Sequence, residues 1–155
     1  HAKVVREVIT AAFPAWRLLL NRWLGPDYVF VAVGNNSHRR KEAHSSRGPF
    51  LRLIHPDACV SPSAIIGAGT IIMAGAVVQA GAVIGAHCII NTGASVDHDC
   101  VIEDFVHIAP GVNLCGGVYV GEGSLLAVGL GFAPNTTIPP WSFVKAIGID
   151  ISRIE

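Results

Sequence analysis

Every sixth residue from Ile54 onward is large and apolar. The series runs Ile54, Val60, Ile66, Ile72, Val78, Ile84, Ile90, Val96, Ile102, Ile108, Leu114, Val120, Leu126, Phe132, Ile138 and Val144, sixteen positions without a slip of phase. Four residues after each stands a residue that is nearly always small or β-branched, as at Ala58, Ala64, Thr70, Ala76, Ala82, Cys88, Ala94 and Cys100. Glycine recurs just after the large residue, at Gly67, Gly85 and Gly121, and three after it, as at Gly69, Gly81, Gly93 and Gly117. Neither a helical period of 3.6 nor strict alternation produces this pattern. A period of six fits one short strand plus one turn, and three such units close an eighteen-residue coil. The pattern predicts a left-handed parallel β-helix over residues 54–149, with the large aliphatic residues inside and coils about 4.8 Å apart.

Residues 1–53 lack the period and predict a separate, small α/β domain. Lys3 to Ala12 reads as an amphipathic helix and Trp16 to Leu24 as a second apolar stretch. Tyr28 to Val33 is a buried-strand run, followed at once by Gly34-Asn35-Asn36. A strand ending in Gly-Asn with a helix after it suits a truncated Rossmann-like unit of the nucleotide-binding kind. Gly34 would let a phosphate or sugar approach the backbone. The polar, basic run from His38 to Arg47 reads as a solvated helix start. Residues 150–155 form a tail.

Composition narrows the classes. Eleven basic side chains balance eleven acidic ones, which leaves no electrostatic footprint for nucleic acid or an anionic membrane. Apolar residues make up 51% and charged residues 14%, too apolar for disorder and suggestive of a buried subunit interface. No apolar run approaches the length of a membrane span. The chain opens on His1 without a methionine or signal-peptide features and is expected to start partway through a longer sequence. Cys59, Cys88, Cys100 and Cys115 show no C-x-x-C spacing and read as reduced, small core residues of a cytoplasmic protein.

Against a plain background of Ala, Gly and Val, one stretch is dense in polar groups: Asn91-Thr92, Ser95 to Cys100, then Glu103 to His107. His98 stands near a turn between Asp97 and Asp99. A histidine beside a carboxylate has a fixed tautomer and greater basicity, which suits a general base. Eighteen residues on lies Gly116, expected on the next coil, where a backbone N–H would face a developing oxyanion unobstructed. His107 lies half a coil away from His98 and would meet it across a subunit interface. His55 and His87 read as structural or solvent-exposed.

These residues carry a resemblance. The run Asn91 to Ile102, with Phe105 to Gly111 after it, resembles the bacterial sugar acetyltransferases of the sialic-acid O-acetyltransferase type. That family includes N-acetyltransferases acting on nucleotide-linked 4-amino-sugars. His1 to Val5 resembles the stretch after the family's glycine-rich loop, and Val31 to Asn36 a nucleotide-sugar contact. The resemblance implies an acetyl-CoA-dependent sugar N- or O-acetyltransferase without a metal, working in polysaccharide biosynthesis as a homotrimer with sites between subunits. It makes His98 the catalytic base and Asp99 the acid that raises its basicity. It places His107 and Gly116 beside the acetyl group, with the Gly116 N–H as carbonyl donor, and Ala127 and Val128 along the pantetheine. His1, Gly34 and Asn35 would contact the nucleotide-linked sugar. The family's glycine-rich loop and first strand would precede His1, and its second strand, with an acidic pair, is not recognisable between Ala12 and Gly25.

Two other classes stay open. Zinc-dependent carbonic anhydrases also use β-helices, and His87, His98 and His107 invite the comparison, although their spacings do not fit. A non-catalytic β-helix of the ice-binding kind would need threonine ladders, which Thr70, Thr92, Thr136 and Thr137 do not form.

Overall fold

The computed structural model describes residues 28–145. The expected helix at Lys3 to Ala12, the apolar stretch from Trp16 to Leu24, His1 and the tail 150–155 lie outside the described residues.

From Leu53 to Val144 the chain is a parallel β-solenoid of about five turns. Sixteen strands of two residues follow one another at six-residue steps, from β1 (Leu53–Ile54), β2 (Cys59–Val60) and β3 (Ile65–Ile66) to β16 (Phe143–Val144). Every third strand pairs in parallel, giving one six-stranded and two five-stranded sheets. The register is eighteen residues throughout, as in Leu53↔Ile71, Ser95↔Asn113 and His107↔Leu125.

The second residue of each strand points inward, and these are the residues of the six-residue series. Ile72, Ile90, Val96, Ile108 and Leu126 are fully enclosed. Ala76, Ala82 and Ala94 pack between them at the corners, where only small side chains fit. Thr70 and Ser124 also point inward, and each hydroxyl is satisfied: they donate to Gly85 O at 2.7 Å and Pro139 O at 2.9 Å. Enclosing a hydroxyl without such a partner would be costly.

From Gly69 onward each corner turns on a left-handed residue three places after an inward apolar one. Glycine fills this place at Gly81 and Gly117, and His87, Asp99, Phe105, Asn135 and Trp141 fill it at φ of 55–59°. One corner column therefore reads Gly81–Asp99–Gly117–Asn135. Its backbone continues the ladder, with Asp99 N–H donating to Ala80 O at 3.1 Å and Gly117 N–H to His98 O at 3.0 Å.

Ahead of the solenoid stands helix α1 (Asn36–Ser45), capped by the Asn35 side chain. The run from Tyr28 to Val33 forms, among the described residues, a single parallel bridge, Val29↔Phe50, rather than a strand ladder, and it turns at Val31–Val33, where the Val33 N–H donates to Val31 O at 3.0 Å. Phe30 packs with Leu53, while Val31 packs with Ala43 and Phe105. The reading of residues 38–47 as wholly solvated is corrected by Arg39, which is 1% exposed. The cysteine expectation holds for Cys88 and Cys100 and fails for Cys59 and Cys115, which are exposed. Cys59 is the first, outward residue of its strand, and Cys115 follows a strand and also faces out.

His87 is 6% exposed and joins the two parts. Its ring stacks on Phe105 with centroids 5.1 Å apart and meets the edge of Phe50 at 4.5 Å. Its Nδ1 has no hydrogen-bond partner among the described residues. Burial holds its pKa below the ordinary histidine value; Asp104 opposes this, and Arg39 and His44 add to it. The unfolded chain takes up a proton here near pH 6.5 and the folded chain does not. His87 therefore costs no stability above that pH and an increasing amount as pH falls. We expect His87→Phe, a residue that Phe105 shows to fit this turn, to lessen the acid-side drop in urea midpoint between about pH 6.5 and pH 5. An unchanged drop would contradict this account.

Candidate active site

The solenoid register decides what meets His98. The residue sits in the turn between β8 (Ser95–Val96) and β9 (Val101–Ile102). The Asp97 carboxylate accepts the His98 backbone N–H at 2.8 Å, which holds the turn. The Asp99 carboxylate lies 2.9 Å from His98 Nδ1. A carboxylate only accepts, so Nδ1 carries the proton and Nε2 keeps its lone pair when the ring is neutral. The hydrogen bond from Asp99 raises the imidazole pKa above its ordinary value, and the charge of Asp97 adds to this. The ring is exposed, at 63%, so it is reachable by a large substrate.

One coil further on, Gly116 lies directly against that ring. A methyl group added at Gly116 would stand 2.5 Å from His98 Nε2 and Cε1. A side chain would displace the imidazole, so glycine is required by the histidine above it. Gly81 does the same for Asp99: a methyl group there would collide with the carboxylate. Gly116 O accepts from Asn135 N at 3.0 Å. Among the described residues, no acceptor takes the Gly116 N–H. The corner thus presents, within one coil spacing, a basic Nε2 and an unused backbone N–H.

A second group forms on the outer face of the six-stranded sheet. His107 opens β10 (His107–Ile108). Its Nε2 lies 3.1 Å from Asn91 Nδ2. Burial lowers the His107 pKa and the Arg39 charge lowers it further; the Gly34 backbone, facing the ring, works the other way. Gly34 and Asn91 also line a cavity of about 220 Å³ between residues 30–34 and the sheet, with Phe30, Met73 and Ile89 among its walls. No atom lies within 4 Å of the space a Gly34 side chain would take.

The expected site residues therefore fall into separate places. His98, Asp99 and Gly116 come together, and His107 comes together with Gly34. Ala127 and Val128 occupy the corner after β13 (Leu125–Leu126), with Val128 67% exposed. Asn35 is the cap of α1, its side chain accepting from His38 N at 3.0 Å. His1 lies outside the described residues. His87, His98 and His107 stand on two different corners and a sheet face. Among the described residues, no three metal-ligating side chains gather. Asn91 and Arg39 were passed over in the sequence; Asn91 stood in the polar stretch, whereas nothing local marked Arg39.

Comparison with known proteins agrees with this fold. Residues 63–98 match the bacterial transferase hexapeptide (six repeats) family, so the solenoid carries the hexapeptide-transferase repeat. The acetyltransferase domain of PglB from Neisseria gonorrhoeae is 47% identical, with a TM-score of 0.72, over 79% of this chain and 62% of that one. That domain is also known in complex with acetyl coenzyme A, at 48% identity. PerB from Caulobacter crescentus, in complex with CoA and GDP-perosamine, is 41% identical with a TM-score of 0.73, over 79% of this chain and 60% of that one. The resemblance to sugar acetyltransferases read from the His98 segment thus extends across most of the described residues. The chain spans about three-fifths of the length of these structures.

The His98 geometry makes a prediction independent of any substrate. In histidine-labelled protein followed by NMR, the His98 titration midpoint should lie above the ordinary histidine value and move down in Asp99→Asn. A midpoint that ignores Asp99 would contradict the assigned hydrogen bond.

Proposed function

We propose that this chain carries the transfer site of an acetyl-CoA-dependent sugar acetyltransferase acting on a nucleotide-linked amino sugar. The observation that carries the reading is the His98–Asp99–Gly116 corner: a carboxylate-oriented imidazole packed on a glycine whose N–H is unused. Likeness to an acetyl-CoA-bound domain and to a structure holding CoA and GDP-perosamine supports the donor and the acceptor class.

In this reading, His98 Nε2 takes a proton from the acceptor amine as its nitrogen attacks the thioester carbon. The Gly116 N–H receives the oxyanion that forms. Collapse expels the CoA thiolate, and the proton held on His98 goes to it, leaving an amide and free CoA. Asp99 steadies the imidazolium between these steps. A positioned base contributes on the order of 10²–10⁴ in rate and an oxyanion donor on the order of 10²–10³. Cys100 takes no part: it is buried, burial raises its pKa, and its thiol donates to Cys115 O.

The finer points belong to the same proposal. The coil winds left-handed, and residues 1–53 belong to an α/β domain that grips the nucleotide through His1, Gly34 and Asn35. The enzyme is a homotrimer with sites between subunits, where His98 of one copy meets His107, Ala127 and Val128 of the next. The exposed aliphatic stripe Ile65, Val83 and Val101, on the five-stranded sheet that contains β3 and β9, supports such packing. The work is cytoplasmic, in polysaccharide biosynthesis.

The test is thiol release from acetyl-CoA with UDP-, GDP- and dTDP-linked 4-amino-sugars and with free sialic acid. One acceptor should give turnover that His98→Ala lowers by about 10²–10⁴ while the assembly state is kept. Near-normal turnover in His98→Ala would overturn the base assignment, and failure to bind CoA would overturn the class.

A further inference from the structure

Arg39 is a buried cation, and among the described residues no carboxylate pairs with it. Its guanidinium has five N–H donors, and hydrogen bonds account for all of them. Nε donates to His87 O at 2.8 Å. Nη1 donates to Val33 O at 2.9 Å and Gly34 O at 3.1 Å. Nη2 donates to Asn36 Oδ1 and Phe105 O, each at 2.8 Å. Two acceptors belong to the loop ahead of α1, one to the first residue of α1, and two to corner turns of the solenoid. Burial lowers its pKa to about 10, so it stays charged at neutral pH. A charge this deep is costly unless fully bonded, and here it is spent on fixing one loop against two turns.

The loop it fixes reaches His107. The Thr92 N–H donates to Asn91 Oδ1 at 2.8 Å, which leaves Asn91 Nδ2 facing His107 Nε2. Nε2 is therefore the acceptor, and the His107 proton is on Nδ1. The Gly34 carbonyl, held by Arg39, faces that ring. Asn36 Nδ2 donates to Gly123 O and Ser124 O at 2.9 and 3.1 Å, tying the loop to a third turn.

We infer that Arg39 is a positioning residue: its planar fork fixes the Gly34 carbonyl, and through it His107, so that the sugar-side loop and the acyl-side histidine form one rigid unit. What the unit transfers rests on the function proposed above; the coupling itself does not.

Two readouts test this, one of them independent of turnover. In histidine-labelled wild type, ¹⁵N shifts of His107 should report the neutral Nδ1–H tautomer, persisting below the pH at which an ordinary histidine titrates. An Nε2–H tautomer, or ordinary titration, overturns the inference and needs no variant. Arg39→Lys keeps a cation but loses the fork, so the His107 ring signals should shift, and KM for the nucleotide sugar should rise on the order of tenfold. Unmoved His107 signals in folded Arg39→Lys overturn the inference whatever the kinetics. Moved signals, in a protein whose wild-type form fails to bind CoA, support the coupling and overturn the acetyltransferase reading instead.

Discussion

The parallel ladder holds every residue over the one eighteen places before it, and the rest of the structure depends on that constraint. With strands of two residues, nearly all backbone pairing runs between coils. The inward aliphatic residues have no freedom of phase, since a slip of one place would turn the core outward. The same register carries His98 onto Gly116 and Asp99 onto Gly81. The geometry of the His98 corner is thus a by-product of the core, in which Val96 and Leu114, inside the same two coils, are fully enclosed or nearly so.

The corners divide the work. Where the chain must only turn, or leave room for the side chain one coil on as Gly81 does for Asp99, glycine takes the left-handed place. Where a side chain is wanted, Asp99, His87 and Phe105 accept that backbone at some cost. Asp99 gains a position beside His98 Nδ1 that an ordinary strand residue would not reach. His87 and Phe105 gain a stacked pair onto which α1 and its loop are laid, with Arg39 bonded to the carbonyls of both. A shared backbone conformation therefore serves the His98 corner in one column and the docking of the loop in another.

The solenoid was legible in the sequence because its signal is periodic and repeated sixteen times. The pairing of His98 with Gly116 was legible for the same reason, by counting eighteen. Arg39 was not, because an arginine in a basic run looks solvated, and the five acceptors of its guanidinium are backbone and amide groups of Val33, Gly34, Asn36, His87 and Phe105. The burial of His87 was hidden likewise, since its partner Phe50 comes from outside the repeat. Cys59 and Cys115 misled for the opposite reason: residue type suggested the interior, but their places within the hexad face out. The run from Tyr28 to Val33 had a strand's composition and, among the described residues, only one bridge to pair with.

The account stands on His98 acting as a base whose strength Asp99 sets. The most direct test is the pH dependence of kcat/KM for a competent acceptor. The account predicts an acid limb whose midpoint equals the titration midpoint of His98, above the ordinary histidine value, and which moves to lower pH in Asp99→Asn together with that titration. An acid limb that stays in place when Asp99 is replaced, while the His98 titration moves, would contradict it.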